Sequence, residues 1–142
     1  MKIAIGADHG GYELKQIIIQ YLIDKGYEVK DFGTYSSESC DYPTIAKPRA
    51  NAIAKKEFDK GILICGTGIG MSITANKIKG IRAALCADKF SAKATREHND
   101  SNILCLGARV IKQDLAIEIT DIWLNTPFSN EERHIRRIGM IE

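Results

Sequence analysis

Five short runs of apolar and β-branched residues recur along the chain, and most of them lack polar residues at alternate positions. Runs such as ILIC and IRAALC are typical of strands that are buried on both faces, as in a parallel sheet covered by helices. The predicted strands span residues 2–7, 27–32, 61–65, 81–87 and 102–106.

The segments between these runs have the length and the 3.6-residue period of amphipathic helices. Gly26 supplies a stop for the first of them, and Asp88 is a suitable cap for the fourth. Pro48 lies inside the second and is expected to kink it or to delay its start. Residues 129–132 (SNEE) form a capping-box pattern that starts a last helix. The predicted helices span residues 11–25, 42–58, 70–78, 88–99 and 113–124, followed by this last one.

Strictly alternating strands and helices of these lengths predict a doubly wound α/β domain with right-handed crossovers. We expect five parallel strands with helices on both faces and an extra C-terminal helix. The length of 142 residues suits one domain, residues 1–142. Ligands of such sheets bind beyond the carboxyl ends of the strands, so the chemistry of the chain is sought there.

Charge and apolar content limit the partners that this chain can have. Twenty Lys and Arg against eighteen Asp and Glu leave a net charge of +2, too small to predict binding to nucleic acid or to an anionic membrane. The apolar runs are far shorter than the ~20 residues of a membrane helix, and the N-terminus lacks the pattern of a secretion signal. We therefore expect a cytoplasmic protein that does not span a membrane.

Four cysteines are scattered without a C-x-x-C pair, at positions 40, 65, 86 and 105. This spacing does not favour a disulfide or zinc framework, and no metal site is predicted. Cys86 and Cys105 lie in apolar strand-like runs and are interpreted as small buried hydrophobic residues.

The first strand runs into Asp8, His9 and two glycines. Ionisable side chains beside glycines at a strand-to-helix junction suit a ligand that approaches the backbone closely. The alternative interpretation makes Asp8 a helix cap and His9 a surface residue.

The third strand ends in Cys65, Gly66, Thr67, Gly68, Ile69 and Gly70. Alternate glycines allow successive N–H groups to face inward, and the helix that follows adds its positive end, so the loop predicts an anion site. The spacing fits neither a dinucleotide fingerprint nor a P-loop. A tight turn without a ligand is the alternative. Cys65 lies at the mouth of this loop and is a candidate base or nucleophile.

Polar side chains cluster again in the second half of the chain. His98 and Asn99 stand just before the fifth strand, Arg109 follows that strand, and Arg133 and Arg137 share one face of the last helix. Guanidinium groups at such positions suit a phosphate. The alternatives are a helix C-terminal cation for His98 and a solvated charged face for the arginines.

Eight motifs along the chain are together distinctive: GADHGGY, DYP, CGTGIG, ANK, GIRAA, REHND, GARV and RHIRR. In this order and without a large gap they resemble the ribose/galactose-6-phosphate isomerase family, which includes ribose-5-phosphate isomerase B and an allose-6-phosphate isomerase. The resemblance implies a Rossmann-like domain, a homodimer with active sites between its subunits, and cofactor-free interconversion of an aldose phosphate and a ketose phosphate. A tetramer is left open.

The resemblance also implies roles for the residues named above. Cys65 is the base that moves a proton between C1 and C2 through an enediolate, and the backbone of residues 66–70 stabilises the enediolate oxygen. His98 opens the sugar ring, assisted by Thr67, with Asp8 as a further candidate. The substrate-binding set is Asp8, His9, Tyr42, Gly66, Thr67, Gly68, Ile69, Gly70, Asn99, Arg109, Arg133 and Arg137. Met71 and Ser72 follow the loop where one branch of the family has Glu, which indicates the Cys branch.

The sequence is compatible with three functions. Isomerisation of ribose 5-phosphate and ribulose 5-phosphate leads, and isomerisation of a six-carbon sugar phosphate would use the same base and anion site. A non-catalytic sugar-phosphate sensor is the third. The joint presence of Cys65, Thr67 and His98 disfavours the sensor, because binding alone needs no proton-transfer groups.

Overall fold

A computed structural model describes residues 1–33 and 38–142 of the chain. Its strands are β1 (Lys2–Ala7), β2 (Glu28–Asp31), β3 (Lys60–Cys65), β4 (Ala83–Leu85) and β5 (Ile103–Gly107). Its helices are α1 (Tyr12–Asp24), α2 (Tyr42–Ala54), α3 (Ile69–Ala75), α4 (Lys89–Asn99), α5 (Gln113–Asn125) and α6 (Glu132–Ile141). A short 3₁₀ turn, His9–Gly11, precedes α1.

The strands form one parallel sheet in the order β2-β1-β3-β5-β4, which confirms the predicted fold class. Residues of α1 and α5 pack on one face, and residues of α2 and α3 pack on the other. After β1 the chain moves outward to β2 and then returns to the opposite side of β1 to form β3. The loops after β1 and β3 therefore lie side by side at the carboxyl edge, where doubly wound sheets bind their ligands.

The three central strands differ from the two edge strands. β1, β3 and β5 are buried along nearly their whole length, as their continuous apolar sequences predict. β2 and β4 are shorter than the predicted 27–32 and 81–87 and remain partly exposed. An edge strand pairs with a neighbour on one side only. Fewer of its residues are therefore held by backbone hydrogen bonds, and the strand is shorter than the apolar run in the sequence.

Most of the predicted helix ends agree with the structure. Gly26 follows α1 with a φ of 87°, and the Asp88 side chain caps α4 by accepting a hydrogen bond from the Ser91 N–H (2.6 Å). Pro48 does not delay α2, which starts at Tyr42 with Pro43 in its first turn. The buried Ala46, Ala50 and Ile53 dock α2 on the sheet, and this packing offsets the one backbone hydrogen bond that proline cannot donate.

Three predicted helix boundaries are wrong. α2 ends at Ala54 rather than at 58, because Lys56 adopts φ 65° and the N–H groups of Lys56 and Glu57 close the helix on Ile53 and Ala52. α3 ends at Ala75 rather than at 78. The capping box also fails: α6 begins at Glu132, and the Ser129 hydroxyl accepts the N–H of Glu131 instead.

The helices of residues 1–33 and 38–142 are each too short or too polar to cross a lipid bilayer.

Candidate active site

The loop between β3 and α3 folds back on the Cys65 thiol. The N–H of Gly68 donates to Cys65 Sγ (3.1 Å), and the Thr67 hydroxyl oxygen accepts the N–H of Ile69 (3.2 Å). The Cys65 side chain is only 5% exposed. A sulfur at the end of a central strand is thus held in one position and receives a backbone donor, which suits negative charge on that sulfur.

Gly68 is the residue that lets the loop take this path. Its φ is 80°, in the left-handed region that side chains disfavour. A Cβ there would lie 2.4 Å from Leu85 Cδ1 and 3.0 Å from the backbone carbon of Leu106. The loop therefore packs directly on β5, and a larger residue at position 68 would displace it.

The loop after β1 lies against the same edge. The Asp8 N–H donates to the Ile64 carbonyl oxygen (3.2 Å), and Asp8 Oδ1 accepts the N–H groups of Gly10 (2.9 Å) and Gly11 (3.3 Å). The capping interpretation of Asp8 is thus correct for this oxygen. Since the carboxylate is buried beside the Cys65 loop, the cap also fixes an acidic group at the candidate site.

Arg109 connects the two loops. Its N–H donates to the Gly66 carbonyl oxygen (2.9 Å). A Cβ built on Gly66 would lie 3.0 Å from Arg109 Nη1, and one built on Gly10 would lie 3.5 Å from Nη2. The guanidinium therefore lies over both glycines, and a side chain at position 66 would crowd it.

Two aromatic residues complete this edge. The Tyr42 ring covers Gly70, since a Cβ there would lie 2.7 Å from Tyr42 Cε2. His9 Nδ1 accepts the N–H of Cys40 (3.2 Å), and the His9 side chain lines a cavity of about 180 Å³. The structure thus brings ten candidate residues to the carboxyl edge of the sheet: Asp8, His9, Tyr42, Cys65, Gly66, Thr67, Gly68, Ile69, Gly70 and Arg109.

The remaining four candidates, His98, Asn99, Arg133 and Arg137, lie elsewhere. Asn99 ends α4, and its carbonyl oxygen accepts Arg82 Nε (2.9 Å) just before β4 begins. The end of α4 and Arg82 thus both lie at the amino edge of the sheet. β3, with six residues, separates the two edges by about 20 Å. Within one chain, therefore, His98 does not reach Cys65.

The α4–α6 surface, formed by these four residues and His134, contains a contact that the sequence analysis did not single out. The rings of His98 and His134 stack with centroids 4.5 Å apart and planes 20° apart. Burial, with further contributions from His98 and Arg133, lowers the pKa of His134 below its ordinary value. His134, Ile138 and Ile141 repeat at helical spacing, which was the available signal that His134 faces inward.

Gly107 was also missed. A Cβ at this position, the last residue of β5, would lie 2.5 Å from the Thr67 carbonyl oxygen. A glycine that ends a buried strand beside the anion loop was the sequence signal for this close approach.

The other cysteines behave as predicted. Cys86 and Cys105 are buried, and burial raises the pKa of Cys86 to about 12 and that of Cys105 further. Within residues 1–33 and 38–142, no three side chains of His, Cys, Asp or Glu are grouped to hold a metal ion.

A sequence model of the family described as Ribose/Galactose Isomerase matches residues 3–141, and the chain belongs to this family. It is 49% identical to ribose-5-phosphate isomerase B of Escherichia coli over 140 residues, covering 99% of this chain and 93% of that one. It is 55% identical to the putative sugar phosphate isomerase YwlF of Bacillus subtilis over 142 residues, covering 99% and 95%. The solved structure of Clostridium thermocellum ribose-5-phosphate isomerase B matches with a TM-score of 0.97 at 54% identity, covering 99% and 95%.

Proposed function

We propose that this protein interconverts ribose 5-phosphate and ribulose 5-phosphate in the pentose phosphate pathway, without a metal or cofactor. The observation that carries the proposal is the Cys65 thiol, enclosed by a glycine loop that donates an N–H to its sulfur. Family membership and the relatives named ribose-5-phosphate isomerase B support the choice of reaction.

Cys65 acts as the base in this reaction. It removes the proton from C2 of the open-chain aldose and returns a proton to C1, while the hydroxyl proton on O2 passes to O1. Negative charge collects on oxygen in the enediolate between these steps, and N–H donors of residues 66–70 are suited to stabilise it. Burial of Cys65 keeps bulk water away from the sulfur, so the base remains poorly solvated.

His98 opens the furanose ring of ribose 5-phosphate by moving a proton to the ring oxygen, with Thr67 and Asp8 assisting. Asp8 and Asn99 bind sugar hydroxyls. His9, Arg109, Arg133 and Arg137 bind the substrate, and Arg133 and Arg137 do so mostly at its phosphate, with which guanidinium groups form charge-assisted hydrogen bonds. Tyr42 contributes a further contact.

These roles require two copies of the chain, because Cys65 and His98 lie on opposite edges of one sheet. We infer a homodimer in which the α4–α6 surface of one copy covers the Cys65 loop of the other. The exposed apolar residues around that loop support the inference: Ile69, Ile73, Leu85, Phe90 and Val110, of which Phe90 is 80% exposed. Apolar side chains grouped around a polar site are typical of a surface that association buries.

Turnover of purified protein on ribose 5-phosphate, allose 6-phosphate and galactose 6-phosphate, with a chelator present, tests the proposal. We expect ribose 5-phosphate to be the best of the three. The description of the family as Ribose/Galactose Isomerase favours a six-carbon sugar phosphate as the second candidate, and a higher kcat/KM on one would select it. No turnover of any of the three would contradict an isomerase and favour a sensor.

His98 can be tested separately by single-turnover measurements in both directions. Ribulose 5-phosphate cannot close a furanose ring, so its conversion needs no ring opening. We expect His98→Asn to slow the reaction of ribose 5-phosphate more than that of ribulose 5-phosphate. Equal losses in the two directions would contradict a ring-opening role.

A further inference from the structure

His134 belongs to α6, and its ring packs against that of His98 at the end of α4. Its side chain is 8% exposed, whereas His98 is exposed at the end of α4. The two rings are nearly parallel, with a centroid distance of 4.5 Å. The His98 ring is thus open to solvent, while His134 covers one of its faces.

The surroundings of His134 suit a neutral imidazole. Nε2 is buried and has no hydrogen-bond partner among residues 1–33 and 38–142. The nearest carboxylate oxygen, Glu131 Oε2, lies 3.7 Å away and pairs with Arg133 Nε at 2.8 Å. Burial, His98, Arg133 and Arg137 lower the pKa of His134, and Glu131 opposes this only in part.

A neutral His134 has a consequence for its neighbour. Two protonated imidazoles at stacking distance repel each other, so a neutral ring at position 134 allows His98 to carry a proton without that repulsion. The stack also restricts rotation of a side chain that would otherwise sample several rotamers in solvent.

We propose that His134 is a positioning residue, which holds the His98 imidazole by stacking in the orientation that ring opening requires. This role rests on the proposed function, in which His98 transfers a proton to the ring oxygen. Proton transfer depends on the distance and direction of the donor, so a loosely held imidazole transfers less often. His134 itself does not contact substrate, because its ring is buried.

Three variants separate stacking from other effects. His134→Leu removes the aromatic ring and keeps apolar volume, whereas His134→Phe keeps a ring that can stack but cannot titrate. Arg136→Ala is the matched control: the residue is exposed on the same helix and has no assigned role in the site. Single-turnover rates from ribose 5-phosphate and from ribulose 5-phosphate are measured for each, together with the NMR shift of the His98 Hε1 proton.

We expect His134→Leu to slow the reaction of ribose 5-phosphate by about 3- to 10-fold, the value of one aromatic stacking contact. The rate from ribulose 5-phosphate and the KM for both substrates should stay close to wild type. The Hε1 resonance of His98 should move downfield, because it loses the ring current of its neighbour. His134→Phe should restore most of the rate and the upfield shift, and Arg136→Ala should change neither.

Several outcomes would overturn the proposal. A shift of the Hε1 resonance in His134→Leu without slower conversion of ribose 5-phosphate would remove the positioning role. Equal slowing in both directions, or failure of His134→Phe to restore the rate, would remove it as well. Each of these results leaves the isomerase reaction itself in place. A wild-type protein without activity on any sugar phosphate would instead overturn the proposed function, and the positioning role with it.

Discussion

The Cys65 loop and the α4–α6 surface are built in opposite ways. Around Cys65 the contacts are made by backbone, through hydrogen bonds to sulfur and carbonyl oxygens and through glycines that touch their neighbours directly. On the α4–α6 surface they are made largely by side chains, such as the stack of His98 on His134 and the exposed ion pair of Arg133 with Glu131.

This difference follows from what each region has to do. A base that removes a proton from carbon needs a fixed position away from water, and the end of a buried strand provides it. In the proposed function, the groups that bind the phosphate and open the ring meet a substrate that arrives from solvent, and the inferred second copy would then cover them. Exposed ion pairs stabilise a fold by only ~0–1 kcal/mol, so substitution of these surface residues should change the free energy of unfolding little.

Cys65→Ser should have the largest effect, because it removes the base and leaves the loop in place. A hydroxyl is too weak an acid to supply the anion, so kcat should fall by roughly 10²- to 10⁴-fold with little change in KM. Cys40→Ser, at the half-buried cysteine whose backbone N–H contacts His9, is the control and should retain activity. Near-normal turnover of Cys65→Ser would remove the base from the mechanism.

Gly68→Ala tests whether the Cys65 region depends on its backbone. The added methyl group collides with Leu85 and forces an unfavourable φ, which should destabilise the protein by about 2–4 kcal/mol and displace the N–H from Cys65. Gly80→Ala is the matched control, with a φ of 88° but no atom of the described part of the chain within 4 Å of the new Cβ. Equal losses of stability in denaturant unfolding would show that backbone strain alone accounts for the effect at position 68, with no contribution from close packing.

Arg137→Ala tests the side-chain region. Loss of a charge-assisted hydrogen bond of about 1.5–3 kcal/mol should raise KM by roughly 10- to 100-fold and leave the melting temperature nearly unchanged. Arg136→Ala, one position away on the same helix, should leave KM unchanged. An unaltered KM for Arg137→Ala would exclude that residue from the phosphate site.

Lys60→Met should have the smallest effect and involves neither region of the site. Burial and the nearby Arg96 guanidinium lower the pKa of Lys60 from 10.5 to about 8, and its Nζ lies 5.1 Å from the Trp123 ring. The unfolded chain therefore binds more protons than the folded one between these values, so this lysine destabilises the fold below pH 8 and ceases to do so towards pH 10.5. Lys60→Met should melt at a higher temperature at pH 7, and the gain should disappear near pH 10.5; the exposed Lys56→Met should show no such trend.

The fold was predictable wherever burial alone decides the sequence. Continuous apolar runs gave β1, β3 and β5, since strands buried on both faces tolerate little else. The ends of β4 and α2 were not predictable in the same way. Pairing on one side shortens β4, and a left-handed Lys56, which no residue preference signals, ends α2.

The candidate site was predictable in part. Glycine spacing and the position of Cys65 after an apolar run located the loop, because strand ends meet at one edge of a parallel sheet. The separation of His98 from Cys65 arises because His98 lies at the C-terminal end of α4, where the chain has returned to the amino edge of the sheet. The stack with His134 depends on how α6 packs against α4, and no local pattern specifies that packing.

Subunit complementation tests most directly the central claim that Cys65 of one copy works with His98 of another. Cys65→Ser and His98→Asn, each of which is expected to be strongly impaired on ribose 5-phosphate, are mixed in equal amounts, dissociated and reassembled. Half of the dimers are then mixed, and each mixed dimer has one site with both native residues, so about a quarter of the wild-type activity should return. A mixture that stays as inactive as its components, although mixed dimers are shown to form, would contradict a site shared between two copies.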